Sequence, residues 1–328
     1  MVSEIIGIDL GYGDTKVVSN NNEKIKFPSR WSPYMVEQWG IGGSMTVLRI
    51  NGGESFIFGE DAAGSNIREP LGDGRLAHDD SLPLIGAAIW LAGVGRNGEP
   101  VDLVIGSGTP LGRFNQELLA SKEYLEGKTL KLESSSGEIR NVTIKRMIMR
   151  PQGVGAALYL LSKGMIEKQP GFGVVVDIGS RTTDVLTVNL KNMEPVVDLC
   201  FSIESGIGDA VSQLGRLIAK ETGFVIPTDI AREALSRVVT FKQKRFGGPQ
   251  VAEPILNQLT SKVLDSLRAN LRADLDRLVA IIPVGGGASL IGDKLEELAP
   301  GFLIKIPDED VQYANCLGYK DAAQRSES

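Results

Sequence analysis

The chain has 328 residues, 42% of them hydrophobic, with a formal net charge of −6, two cysteines and one histidine. That length allows two domains with cores of their own, and the acidic balance argues against nucleic acid or an anionic membrane surface as the main partner. Cys200 and Cys316 are too few for a disulfide framework and too distant for a metal pair, while a lone His78, read as a surface loop residue, excludes multi-histidine metal sites and most Ser/His/Asp schemes.

No basic region followed by an apolar stretch opens the chain, so no signal peptide is expected, and a reducing, cytoplasmic setting fits. Residues 5–18 read as two strands about a glycine turn, with a third strand at 25–28. Between residues 31 and 74 glycine is frequent and the apolar pieces at 45–50 and 55–58 are short, which predicts brief strands and long loops. Residues 68–75 are the most loop-like run; their charges are read as solvated or in contact with a partner or substrate. The longest apolar stretch, residues 82–94, contains Pro83, Gly86 and Gly93 and is shorter than the roughly 20 residues of a membrane span. It predicts a buried helix over 82–91.

A buried strand follows at 101–106, then a helix at 114–125, a hairpin of 128–132 with 139–149, and a helix at 154–163. The second half continues with strands at 174–178, 183–190 and 195–203 and a helix starting near Gly208. Leu256, Leu259, Val263, Leu267, Leu271, Leu275 and Leu278 recur at steps of three or four, predicting one amphipathic helix over 254–280. A strand at 281–284 enters Gly285-Gly286-Gly287-Ala288, and a last helix over 311–324 is long enough to return to the first half. The alternation of strands and helices indicates an α/β chain with mixed sheets.

One pattern occurs twice. Ile6-Gly7-Ile8-Asp9-Leu10-Gly11 and Val175-Val176-Asp177-Ile178-Gly179 each run from an apolar strand through Asp and Gly into a second strand, and the offset is 177 − 9 = 168, about half of the chain. Taken singly, each is a tight turn with an Asp at a strand end; two copies point to related halves facing one ligand. A glycine turn lets backbone N–H groups approach phosphate oxygens. Asp9 and Asp177, facing each other across those phosphates, suit Mg²⁺ held through water, and Lys16 adds a point charge. Three successive glycines at 285–287, ahead of Ala288, permit an adenine or α-phosphate to lie on bare backbone at a helix start. Gln152 either orients a water or caps its own helix. Gly206 and Gly208 stand at another strand-to-helix entry, where Asp209 is either an ordinary first-turn acid or a group near the ribose.

The order of Asp9-x-Gly11-x-Gly13-x-x-Lys16, the Gln152 segment, Asp177-x-Gly179, residues 206–209 and Gly285-Gly286-Gly287 resembles the phosphate and adenosine motifs of the actin, heat-shock chaperone and sugar-kinase superfamily. Arg150-Pro151-Gln152-Gly153-Val154-Gly155-Ala156-Ala157-Leu158-Tyr159, with the short length, is similar to the archaeal actin-like, ParM-like branch. The resemblance spans the whole chain. It implies a two-domain actin-like α/β fold with the nucleotide in the interdomain cleft, domain I being residues 1–150 plus 311–328 and domain II residues 151–310. It also implies an ATPase that binds ATP and ADP with Mg²⁺ and assembles with itself into filaments of a cytoskeletal or DNA-segregation kind. No direct nucleic-acid site and no membrane segment are expected.

On that resemblance Gln152 acts with Asp9 and Asp177 in hydrolysis. Gly11, Tyr12, Gly13, Asp14, Thr15 and Lys16 form one phosphate turn, and Gly179, Ser180, Arg181 and Thr182 the other. Ser180-Arg181 departs from the smaller residues frequent in relatives. Lys244 stands where related chaperones bring a basic residue to the base. The competing expectation is a small-molecule, sugar-type kinase, which needs a carboxylate base such as Asp73 or Asp209.

Overall fold

The computed structural model describes residues 3–35, 45–62, 66–70, 72 and 74–327. They form two compact units, residues 1–159 with 315–328 and residues 160–314. The expected boundary after residue 150 falls at the end of a strand, and the observed division comes after Tyr159, within a helix.

Unit 1 holds β1 (Ser3–Leu10), β2 (Asp14–Val18), β3 (Lys24–Pro28), β4 (Trp31–Pro33), β5 (Leu48–Ile50), β6 (Ser55–Phe58), α1 (Leu82–Leu91), β7 (Val101–Thr109), α2 (Phe114–Leu125), β8 (Thr129–Ser134), β9 (Ile139–Pro151) and the start of α3 (Val154–Ser162). Among the described residues the strands form one mixed sheet in the order β3-β2-β1-β7-β9-β8-β5-β6-β4. β1 runs parallel to β7 and β7 to β9, so these central strands are covered on both faces. Ile6, Ile8, Leu103 and Ile105 are accordingly buried with α1 residues Leu84, Ile85 and Ile89.

The C-terminal helix Ala314–Glu327 belongs to this unit, where Ala322 and Ala323 pack with Val104 and Ile148. Its buried Lys320 donates from Nζ to Ser19 O (2.6 Å), Asn20 O (2.8 Å) and Asn22 Oδ1 (2.7 Å), which ties the helix to the β2–β3 turn. Lys320→Met keeps the aliphatic stem and leaves those acceptors without their donor. It is expected to cost about 2 kcal/mol, read as a lower urea midpoint at unchanged slope.

Unit 2 holds β10 (Phe172–Ile178), β11 (Thr183–Asn189), β12 (Glu194–Pro195), β13 (Phe201–Ile203), α4 (Ile207–Thr222), α5 (Thr228–Glu233), β14 (Val238–Phe241), β15 (Lys244–Gly247), α6 (Pro249–Leu271) and β16 (Leu278–Val284). Its main sheet runs β12-β11-β10-β16, with β13 also on β11, and β14–β15 is a separate hairpin. Every residue of β10 is buried, as expected for a Val-rich strand lying parallel to β16. The apolar rows Val211, Leu214, Ile218 on α4 and Leu259, Val263, Leu267 on α6 are buried.

Three expected elements differ, the last helix over 311–324 being a short helix Asp308–Val311 followed by Ala314–Glu327. The helix over 254–280 starts earlier, at Pro249, and stops at Leu271, where Arg272 adopts φ +43°. A 3-10 stretch Arg272–Arg277 follows, and Leu278 and Ala280 belong to β16, buried by strand alternation although the sequence spacing of Leu278 continues the helical row. The strand over 195–203 is β12 and β13 separated by a 3-10 turn Val197–Leu199. Thr187 of β11 holds this bulge at both ends, its carbonyl accepting from Val196 N (2.8 Å) and its hydroxyl donating to Leu199 O (2.8 Å).

Candidate functional site

In unit 1 the antiparallel register of β1 and β2 puts Asp9 opposite Lys16. The Gly11 amide donates to Asp9 O (3.1 Å) and Asp14 O (3.2 Å), closing the turn that carries Tyr12 and Gly13 and leads through Asp14 and Thr15 into β2. Lys16 Nζ lies 3.1 Å from Asp9 Oδ2, with the side chains only 13% and 7% exposed. Ser29, just past β3, clamps this turn. Its hydroxyl donates to Gly11 O (2.7 Å) and stands 2.9 Å from Thr15 Oγ1, and its amide donates to Gly13 O (2.9 Å). No local pattern marks Ser29, because it reaches the turn only through the β2–β3 pairing.

Cys316 on the C-terminal helix is buried beneath the pair, its Sγ donating to Lys16 O (3.5 Å). Burial, and secondarily the Asp9 carboxylate, pushes the thiol pKa up, so it behaves as an inert core residue. Tyr12 meets Arg75, whose guanidinium carbon is 3.8 Å from the ring centroid. Arg75 is buried, which corrects the expectation of a solvated loop for that end of residues 68–75. Arg68 keeps an exposed pair with Asp80 (3.0 Å), and His78 is exposed as expected; Leu71 and Asp73 lie outside the described residues.

Gln152 follows β9, and its amide donates to Thr109 O (2.9 Å). The start of α3 is capped from elsewhere. Asn315 Oδ1, on the C-terminal helix, accepts from Gly153 N (3.0 Å) and Ala156 N (3.1 Å). The capping role weighed for Gln152 is therefore filled by a residue 163 positions further along (315 − 152), which leaves the Gln152 carboxamide available for another partner.

Unit 2 repeats the first turn bond for bond. The Gly179 amide donates to Asp177 O (3.1 Å) and Thr182 O (2.9 Å), two residues back and three ahead, as Gly11 does. Asp177 stands opposite Asp184 in the β10–β11 register, as Asp9 stands opposite Lys16. Asp184 accepts from Thr182 Oγ1 (3.0 Å) and from Ser202 Oγ. Burial raises its pKa, those two hydrogen bonds pull the other way, and the Glu204 charge adds to the rise. The start of α4 is stitched onto the turn, with Ile207 N donating to Gly179 O (2.9 Å) and Gly208 N to Ser180 O (2.7 Å). A β-carbon at Gly206 or Gly208 would press on those carbonyls, so glycine here serves the protein's own packing. Asp209 Oδ2 accepts from Ser205 Oγ (2.6 Å). Arg181 is exposed.

β16 delivers the glycine cluster to the same place, since Val284 pairs with Asp177. Gly287 N donates to Ile178 O (2.9 Å), Gly285 has φ +86° and a β-carbon there would meet Asp177 Oδ1, and Ala288 opens the short helix Ala288–Ile291. Asp177, residues 179–182, residues 206–209 and residues 285–288 thus gather around Ile178 and Ser180. Lys244 is placed elsewhere, on the β14–β15 hairpin, with Nζ 5.7 Å from the Phe224 ring centroid and Lys242 Nζ 5.2 Å from the same ring.

Two mixed sheets that each carry an Asp-Gly hairpin beside a parallel strand define an actin-like fold. Residues 7–155 match the family "Actin like proteins N terminal domain" and residues 175–297 "Archaeal actin homologue MreB-like, C-terminal". The chain is 58% identical over 323 residues to the archaeal actin homolog of Thermoplasma acidophilum, covering 98% of this chain and 99% of that one. The chain belongs to the archaeal actin homologues.

The crystal structure of Ta0583, an archaeal actin homolog, in complex with ADP is similar at TM-score 0.91 and 55% identity, over 98% of this chain and 99% of that one. A ParM from a 15-stranded filament of Clostridium botulinum shares the fold at TM-score 0.82 and 19% identity, over 99% and 100% of the two chains. No helix among the described residues is long and apolar enough to cross a membrane.

Proposed function

We propose that this actin homologue binds ATP, hydrolyses it with Mg²⁺ and couples that hydrolysis to self-assembly. The observation that carries the reading is the turn built twice, with the Gly11 and Gly179 amides making the same two bonds beside Asp9 and Asp177. The ADP complex of Ta0583, at 55% identity, supports the nucleotide as ligand. In this reading the amides of residues 11–13 and of residues 179–182 meet phosphate, and the bare backbone of residues 285–287 meets the nucleoside.

The residues fit Mg²⁺ held through water. Asp9 and Asp177 are hard oxygen donors at strand ends, and among the described residues no cluster of three His, Cys, Asp or Glu side chains offers an all-protein cage. Mg²⁺ would supply charge neutralisation of the phosphates. The chain's own contributions are local. Asp9 holds the Lys16 ammonium ready for a phosphate oxygen, Ser29 keeps the first turn closed, and Gln152, relieved of capping by Asn315, orients the attacking water. The two units correspond to the two actin-like domains.

The ParM of Clostridium botulinum, whose structure is that of a filament, shares this fold, which supports self-assembly; an intracellular, cytoskeletal or segregation role is proposed with it. For the kinase alternative, Asp209 as base is disfavoured by its bond to Ser205. The deciding experiment adds Mg-ATP or Mg-ADP to the purified chain and follows sedimentation and phosphate release, with a sugar panel in parallel. The chain should release phosphate without any acceptor and pellet with ATP more than with ADP. ADP formation that depends on a sugar would overturn the reading.

A further inference from the structure

The internal repeat pairs Lys16 with Asp184, each seven residues after its strand-end aspartate (9 + 7 = 16; 177 + 7 = 184). In the first half this register gives a direct ion pair. In the second it sets one carboxylate opposite another, an arrangement that costs stability on its own and costs more when buried, as Asp184 is. Both Asp184 oxygens are engaged by hydroxyls. Oδ1 takes Ser202 of β13, and Oδ2 takes Thr182, the last residue of the second turn.

With a hydroxyl donating to each of its oxygens Asp184 only accepts, and a threonine hydroxyl has one hydrogen. With that hydrogen committed to Asp184, the Thr182 oxygen has only lone pairs left to offer. It can then accept from a water but cannot donate to a phosphate oxygen. The turn therefore divides its labour, its backbone amides donating to anionic oxygens and its one fixed hydroxyl receiving a water's hydrogen. We infer that Asp184 is a positioning residue that acts through Thr182, locking its hydroxyl as an acceptor for a water bound at the second phosphate turn. This rests on the proposal that residues 179–182 hold the nucleotide.

Asp184→Asn tests it at constant shape. Its carboxamide nitrogen donates, so Thr182 turns its own hydrogen outward and the polarity at the turn reverses. The kcat of phosphate release should fall about tenfold, the effect of one misdirected hydrogen bond, with KM for ATP little changed. Thr182→Val should lose a similar amount, Thr182→Ser should recover most of it, and the double variant Asp184→Asn/Thr182→Val should be no slower than Thr182→Val alone. A merely structural Asp184 would give losses that multiply, and that result overturns the inference, as does wild-type kcat in Asp184→Asn. Should Asp184→Asn not fold, equal loss in Thr182→Ser and Thr182→Val overturns it instead. Binding of a fluorescent ADP analogue by the wild type separates the layers: no binding removes the nucleotide reading itself, whereas normal binding and turnover with an unaffected Asp184→Asn removes only this inference.

Discussion

Asp177→Asn is expected to cut phosphate release by about 100- to 1,000-fold, the usual cost of removing one preorganised electrostatic group from a site where charge develops. The substitution keeps the size of the side chain and its place beside Gly285, and removes only the charge. Unit 2 should therefore keep its fold, since β10 is held by ladders to β11 and β16 that do not involve the carboxylate. Asp177→Ala should behave alike, with a small additional loss of stability for the vacated volume. The same assay run against rising Mg²⁺ makes the assignment sharper. If Asp177 helps hold the ion's water shell, the half-saturating Mg²⁺ concentration rises in Asp177→Asn. A variant that releases phosphate at the wild-type rate with an unchanged Mg²⁺ requirement would remove Asp177 from the metal site.

The contrast between what the sequence made legible and what it hid follows from the range of the interactions. Asp9, Gly11, Asp177 and Gly179 were readable because strand, turn and strand are contiguous, and the apolar runs on either side set the register that the structure shows. The glycine cluster was readable because β16 ends in it. Ser29, Asn315 and Ser202 were not. Each acts on a turn, a helix start or a strand through pairing or packing that brings it from 18, 162 or 18 positions away, against Gly11, Gly153 and Asp184 respectively.

Burial of charge was hidden for the same reason. Arg140 reads as an alternating strand residue, yet it is 2% exposed, stacked on Trp90, with Nη1 donating to Trp90 O (2.7 Å). Arg75 ended the most loop-like run of the sequence and lies buried on Tyr12. The overrun of the helix past Leu271 has a different cause. The spacing of Leu271, Leu275 and Leu278 fits a helix and a core equally well, and only the left-handed backbone of Arg272 decides between them.

Gly285, Gly286 and Gly287 are alike in sequence and unlike in what requires them, which allows one position to report on the protein and its neighbour on the ligand. At Gly285 a β-carbon would collide with Asp177 Oδ1, and φ +86° is strained for any residue with a side chain. Gly285→Ala should cost about 3 kcal/mol from strain and overpacking together, and should reduce phosphate release as far as Asp177→Asn by displacing the carboxylate. Gly287→Ala would collide with the Ile178 side chain, a packing cost without the strain. At Gly286 no atom lies within 4 Å of a built β-carbon and φ is not positive, so nothing in the protein itself asks for glycine there. Gly286→Ala should therefore unfold at the wild-type temperature. If a nucleoside lies on this backbone, the methyl group stands in its place, and ADP affinity should fall about tenfold, or 1.4 kcal/mol. Calorimetric unfolding and ADP titration on the same two variants separate the effects: stability lost at 285, affinity lost at 286. Unchanged affinity in Gly286→Ala would move the nucleoside away from the cluster while leaving the role of Gly285 in placing Asp177 intact.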